Sequence, residues 1–174
     1  MQQLDKFLTV ATKEIKPGYY LLPIVNDKGK EVQIYRERVY CYELYHQLRI
    51  LWEELEIETP YVLNGEVSKN KHPYFGSYGP QPDFLVHVPE SHENYAVIEV
   101  KKCDADGGFI KDLDTLERFR SGKHAYQRCI YLVYGIRAEE TANKIISLNE
   151  QRESPVPIEM WIHPKQGEPA YRFR

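Results

Sequence analysis

Two runs decide how this chain folds: Pro82-Asp83-Phe84-Leu85-Val86-His87-Val88 and Tyr95-Ala96-Val97-Ile98-Glu99-Val100-Lys101. Each is short, rich in β-branched and aromatic residues and bounded by turn formers, the pattern of a strand. The joint between them, Pro89-Glu90-Ser91-His92-Glu93-Asn94, is of hairpin length, so the strands are expected to be antiparallel neighbours. Side chains alternate along a strand, which puts Glu99 and Lys101 on one side and Ile98 and Val100 on the other. One face is expected to be apolar and the other reactive.

Upstream of this pair, Cys41, Leu44, Leu48, Leu51 and Leu55 recur at three and four residues, and the spacing predicts a helix over 36–58. Thr59-Pro60 ends it, residues 61–67 read as a first core strand, and 68–80 as a polar connection rich in Gly and Pro. The N-terminal part reads as a helix over 2–15 stopped by Lys16-Pro17-Gly18. A hairpin is then expected, with strands at 19–25 and 31–34 around the turn Asn26-Asp27-Lys28-Gly29-Lys30. Pro23 marks an edge strand.

Downstream, Gly107-Gly108 leads into a helix over 109–120, with Ile110, Leu113, Leu116 and Phe119 at helical spacing. A buried strand over 128–134, a helix over 138–149 and a strand over 157–162 follow. The order helix, three strands, helix, strand argues for an α/β fold with a mixed sheet.

The 174 residues suit one domain, with its core at about 36–134, an N-terminal helix and hairpin over 1–35 and a C-terminal helix and strand over 138–163. Hydrophobic residues at 42% and charged residues at 28% are those of a globular chain, and fourteen tyrosines tilt it toward sheet. No apolar run reaches the roughly 18 residues of a membrane span, and the N-terminus lacks the basic start and apolar stretch of a signal peptide, so a cytoplasmic location is expected. Cys41, Cys103 and Cys129 form neither a disulfide framework nor a CxxC knuckle. The net charge of −3 argues against bulk, nonspecific coating of nucleic acid but leaves room for a local basic groove.

The chemistry concentrates on Asp83, Glu99 and Lys101. Two carboxylates on adjacent strands are costly to bring together unless a cation lies between them, and hard oxygen donors suit Mg²⁺ or Mn²⁺. Asp83 and Glu99 are therefore the expected metal ligands. A lysine beside a metal-bound water can orient it or neutralise charge building on a phosphoryl group. The plain alternative is a half-exposed hairpin on which Glu99 and Lys101 form a surface pair worth little.

Pro82-Asp83, then sixteen positions, then Glu99-Val100-Lys101 resembles the PD-(D/E)xK nuclease superfamily, and the element order from Arg36 to Tyr134 matches the core of that superfamily. The resemblance covers about 100 residues. It implies a restriction-endonuclease-like fold and Mg²⁺-dependent hydrolysis of phosphodiesters, usually in DNA, by endo- or exonucleolytic cutting. Asp83 and Glu99 would bind metal and Lys101 would assist the nucleophile.

Many members of the superfamily add a glutamate from the first core helix, for which Glu37 and Glu43 are candidates. Glu37 lies seven residues before Leu44 and eleven before Leu48, on the core-facing side, whereas Glu43 projects roughly opposite, which favours Glu37. Glu66, with Lys69 near it, is a further candidate, weighed evenly against an exposed strand-end ion pair.

Arg118, Arg120, Lys123, His124 and Arg128 form an acid-free basic stretch interleaved with Phe119 and Tyr126. It is expected to grip backbone phosphates, with dipole complementation at a helix C-terminus as the alternative. Lys102 is expected to face away from Lys101, and Gln127 to approach the site.

The six histidines show no zinc spacing. Asp104-Ala105-Asp106-Gly107-Gly108 lacks the later ligands of a calcium loop. Neither GxSxG nor GxxxxGK[ST] occurs. Two other functions are weighed: a catalytically inactive nucleic-acid-binding or assembly subunit of the same fold, and a hydrolase of another substrate, such as a glycoside, with Asp83 and Glu99 as its acid and base. A homodimer would suit cutting both DNA strands.

Overall fold

The computed structural model describes residues 3–54, 59–68, 79–122 and 125–174. Among the described residues, eight strands and five helices follow one another as α1 (Leu4–Glu14), α2 (Pro17–Tyr20), β1 (Leu22–Val25), β2 (Glu31–Ile34), α3 (Glu37–Glu54), β3 (Val62–Gly65), β4 (Phe84–His87), β5 (Asn94–Lys102), α4 (Phe109–Arg120), β6 (Arg128–Tyr134), α5 (Ala138–Glu150), β7 (Ile158–His163) and β8 (Tyr171–Arg172). The fold is α/β with a mixed six-stranded sheet in the order β3-β4-β5-β6-β7-β8, and β1 and β2 form a separate hairpin.

The sheet changes direction at β5. To one side β5 pairs antiparallel with β4, and β4 with β3; to the other it runs parallel to β6, and β6 to β7. The parallel half needs crossovers, which α4 and α5 supply. Their bulky residues recur on one face of each helix, and Phe109, Leu113, Leu116, Phe119, Ala142 and Ile145 are buried against Val97, Cys129, Tyr131 and Val133. On the opposite face Ala96, Ile98, Val100, Ile130 and Leu132 pack against α1 and α3 through Leu4, Phe7, Leu8, Leu44 and Leu48.

Both faces of β5 are therefore covered, and the expected division into an apolar and a reactive face holds only at its end. Val97 is fully buried among side chains of α4 and α5, and Glu99 and Lys101, which follow on that face, are buried as well, so the polar end of this face is enclosed.

Two further differences from the expected elements have local causes. Tyr19 and Tyr20 lie at and beyond the middle of α2 rather than in β1: Pro17 stands at the first helical position, where its missing N–H costs nothing, and the Leu21 N–H bonds to the Pro17 carbonyl at 2.9 Å. Strand β8 is only two residues long, too short to carry an alternation. The end of the expected α3 at 55–58 and most of the connection at 69–78 lie outside the described residues.

Among the described residues no helix is long and apolar enough to cross a membrane. The three cysteines are buried and free of disulfides.

Candidate active site

The reversal of strand direction at β5 creates the site. In the β4–β5 register Phe84 pairs with Ile98, so Asp83, just before β4, comes level with Glu99 near the end of β5. The Asp83 carboxylate fastens this junction, accepting a hydrogen bond from the Val100 N–H at 2.7 Å. Its carboxyl group lies within hydrogen-bonding reach of that of Glu99. The two carboxyl groups meet on one side of the molecule.

Their environment opposes ionisation. Burial pushes Asp83 up from 3.8 to about 6, and the nearby Glu37 charge adds to it, against the opposing Val100 hydrogen bond. Burial raises Glu99 well above the ordinary carboxylate range, reinforced by Asp83 and Asp112 and only partly relieved by Lys101.

Lys101 is clamped from two helices. Its Nζ lies 2.8 Å from Asp112 Oδ2 at the start of α4 and 3.4 Å from Glu37 Oε2 at the start of α3. Burial alone would lower the pKa of the amine, but Asp112, Glu37 and Asp83 outweigh it and the net shift is upward. The Lys101 side chain retains only 11% exposure, so its ammonium is held in one place. A Cβ on Gly108 would stand 3.6 Å from that Nζ, and Gly108 adopts a left-handed backbone (φ +87°) as it leads into α4.

Glu37 also accepts a weak bond from the Lys102 N–H at 3.4 Å, so this carboxylate spans the end of β5. Glu43 is buried too, but its carboxylate accepts from Gln47 at 2.8 Å and takes no part in the Lys101 cluster. Glu66 approaches Asp83 through the backbone, its N–H donating to the Asp83 carbonyl at 2.9 Å, while its carboxylate turns to Arg38 at 3.1 Å. Of the three helix and strand glutamates, Glu37 is the one brought to Lys101. Lys102 points away and pairs with Asp104 at 3.2 Å. His87 bonds Asn64 at 2.8 Å.

Sequence reasoning did not find Asp112 or Tyr131. Asp112 is buried, and besides Lys101 it accepts the Tyr131 hydroxyl at 2.7 Å. A signal was present: Asp112 sits three residues after Phe109 and four before Leu116 along α4, so a carboxylate lies on the buried stripe and requires a charged or hydroxyl partner there.

The basic stretch expected to grip phosphates is largely consumed by the fold. Arg128 is bound to Glu159 and Asp5, tying β6 to β7 and α1, at 2.5 Å and 2.6 Å. Its partner across β5 is Ala96, whereas Lys101 pairs with Val133, so Arg128 lies about 16 Å from the site at the other end of the strands. Arg120 donates to the carbonyls of Tyr126 and Gln127 at 2.8 and 3.0 Å, closing the turn after α4. Arg118 and Arg120 also occupy the far end of α4 from Asp112, with Arg120 about 12 Å along the axis. Gln127 shares that end, its N–H bonding the Asn94 carbonyl, so it does not approach the site. Lys123, His124 and Lys69 lie outside the described residues.

Among the described residues no group of three or more His, Cys, Asp and Glu side chains gathers as an ion cage. A site of another kind fits the donors. Mg²⁺ keeps much of its hydration and is commonly held by one or two carboxylates, and two carboxyl groups in contact whose ionisation is opposed by burial, Glu99 further by Asp83 and Asp83 by Glu37, are what a divalent cation would relieve. No family model, no curated protein and no solved structure matches the chain.

Proposed function

We propose that this chain is a metal-dependent nuclease of the PD-(D/E)xK, restriction-endonuclease-like kind, hydrolysing phosphodiester bonds with DNA as substrate. The observation that carries the reading is the meeting of the Asp83 and Glu99 carboxyl groups beside an ammonium, Lys101, that two further carboxylates hold in its charged form. A surface ion pair needs none of this. The order α3, β3, β4, β5, α4, β6 supports the reading, since it is the helix, three strands, helix, strand order of that core.

Asp83 and Glu99 would hold Mg²⁺ or Mn²⁺. Such an ion, when bound, makes water a better nucleophile at neutral pH and offsets phosphoryl charge. The remaining work falls to the chain. The Val100 N–H orients the Asp83 carboxylate, so one ligand is preorganised by the β4–β5 junction itself. Lys101, charged across the neutral range, is suited to donate hydrogen bonds to a water or to a phosphoryl oxygen and not to remove a proton. Glu37 and Asp112 fix its position from opposite sides of the sheet.

The test is cleavage of plasmid and oligonucleotide DNA with and without Mg²⁺. Metal-dependent nicking that disappears in Lys101→Ala, while circular dichroism remains that of the parent, is the expected result. Undiminished cutting by Lys101→Ala, or turnover indifferent to chelator, overturns the reading.

A further inference from the structure

A cavity of about 300 Å³ opens beside Asp83, between the start of α3 and the β3–β4 pair. Its lining is unlike the rest of the site. Tyr45 lies nearly parallel to Phe84, at 10° with ring centroids 6.3 Å apart, and Tyr42 stands at the rim with 58% of its surface exposed. The polar residues of the lining are Asn64, whose amide oxygen meets His87 at 2.8 Å, Glu66, whose carboxylate pairs with Arg38, and Asp83, and no lysine or arginine lines it among the described residues.

That combination selects its occupant. No lysine or arginine among the described residues lines the cavity, and Arg38 nearby is taken up by Glu66, so nothing in that lining is built to grip the phosphate backbone of a nucleic acid. Flat aromatic walls favour a planar ring, and a carboxylate oxygen accepts from an exocyclic amino group. The volume is at the small end for ligand pockets. Because Asp83 belongs to both the cavity and the proposed cleavage site, a group seated here is attached to the chain being cut at or next to the scissile phosphate.

We infer that this cavity receives one unstacked nucleobase of the substrate, carrying an exocyclic amino group, so that the strand is engaged with a base drawn out of the stack. The inference rests on the nuclease reading for its link to cleavage, but the pocket itself can be probed without turnover. A duplex in which every base stays paired cannot fill it. Single strands, frayed ends and unpaired positions, where extrusion is cheapest, are the preferred substrates.

Gly65 supplies the means of closing it. A Cβ there would meet Tyr45, the Asp83 carbonyl and Phe84 at 3.6–3.8 Å, ordinary contact distances, so Gly65→Ala is accommodated, and Gly65→Leu projects among the aromatic walls. Tyr42 is exposed, so Tyr42→Ala removes a wall without removing core.

Adenosine and cytidine, with inorganic phosphate as control, are titrated into the metal-free protein while amide and aromatic NMR resonances are followed. Both nucleosides are expected to move the Tyr42, Tyr45 and Gly65 signals in the parent and in Gly65→Ala, less in Tyr42→Ala and not in Gly65→Leu, with phosphate inert. In parallel, a single abasic position is walked along a single-stranded oligonucleotide. One position flanking the cut should lower kcat/KM on the order of tenfold in the parent and not in Gly65→Leu, which already cuts the intact strand about tenfold more slowly.

Nucleoside shifts that are absent, or that persist in Gly65→Leu, overturn the inference, as does a flat abasic scan. Nucleoside shifts without cleavage of any DNA support the pocket and sink the nuclease. Cleavage without nucleoside shifts does the reverse.

Discussion

Asp83→Asn should make the protein more stable at neutral pH, because the native site stores electrostatic strain. In the unfolded chain Asp83 ionises near its ordinary 3.8, and in the folded one near 6. Between those values the folded state holds a proton that the unfolded state has released. Stability therefore falls as pH rises through that window and stays lower above it. The difference corresponds to about 3 kcal/mol. Asp83 keeps some contact with water, which screens part of that, so the stabilisation expected at pH 7.5 is about 1–3 kcal/mol. The amide oxygen of asparagine can still accept the Val100 N–H.

The parent's own profile hides this effect. His163 lies buried with Tyr40 Oη 2.9 Å from its Nδ1, and burial lowers its pKa from 6.5 to about 4. The unfolded state binds that proton first as pH falls, so this group contributes stability that is present above 6.5 and lost toward 4, of about 3 kcal/mol. The two slopes oppose each other over nearly the same window. The measurement is accordingly the difference between parent and Asp83→Asn in urea unfolding, taken from pH 4 to 7.5. It should grow from near zero to its full value. Saturating Mg²⁺ should then narrow the gap by stabilising the parent alone, by about 2.7 kcal/mol at a hundred times its Kd. A difference that is absent at pH 7.5, or the same at every pH, refutes the picture of a strained carboxyl pair.

Asp112→Asn removes the nearest negative charge from Lys101, so the pKa of that amine should fall. The alkaline limb of the kcat profile should move to lower pH, and kcat should drop about tenfold with KM for DNA little changed. An unshifted limb counts against a positioning role. Arg128→Ala removes the closer of two arginines from Glu159, leaving Arg172 at 3.5 Å, and should cost about 2 kcal/mol in urea unfolding while leaving the affinity for DNA in filter binding as it was. A specific loss of affinity would restore the phosphate contact expected for this residue. Gly135→Ala places a Cβ 2.4 Å from Cys103 Sγ at φ +112°, and should cost at least about 2 kcal/mol, seen as a lowered Tm.

What the sequence makes legible follows the reach of each interaction. Helix α4 and strand β6 end where their local pattern ends, because bulky residues repeat at a single period and glycine or a change of period closes each element. Glu37 could be chosen over Glu43 by helical angle, since its partner, the end of β5, lies beside the core-facing stripe. The angle did not reveal that Glu43 would be buried as well, with its carboxylate held by Gln47. The basic stretch misled for the same kind of reason. A run of cations says nothing about partners, and those of Arg128 come from residues 31 positions ahead and 123 behind. Asp5 and Glu159 become its neighbours only when the sheet forms.

The location of the carboxyl pair follows from the sheet itself. Within the parallel half, β5, β6 and β7 all end on the same side, where α4 and α5 begin, so side chains at the strand ends lie beneath helix N-termini. Asp112 comes from one such terminus. The antiparallel β4 enters from that side, which is why the residue preceding it, Asp83, arrives opposite Glu99 near the end of β5. A fully parallel sheet would have sent the start of β4 to the far edge. An aspartate before one strand and a glutamate and lysine closing its neighbour therefore converge only because the hairpin reverses direction. The aromatic cavity borders the same hairpin, Asp83 and Phe84 at the start of β4 belonging to its lining. Lengthening the joint between β4 and β5 by one residue within 89–93 leaves the Asp83–Glu99 register intact, whereas inserting one residue between Asp83 and Phe84 moves Asp83 off Val100 and should abolish cleavage while the hairpin still forms.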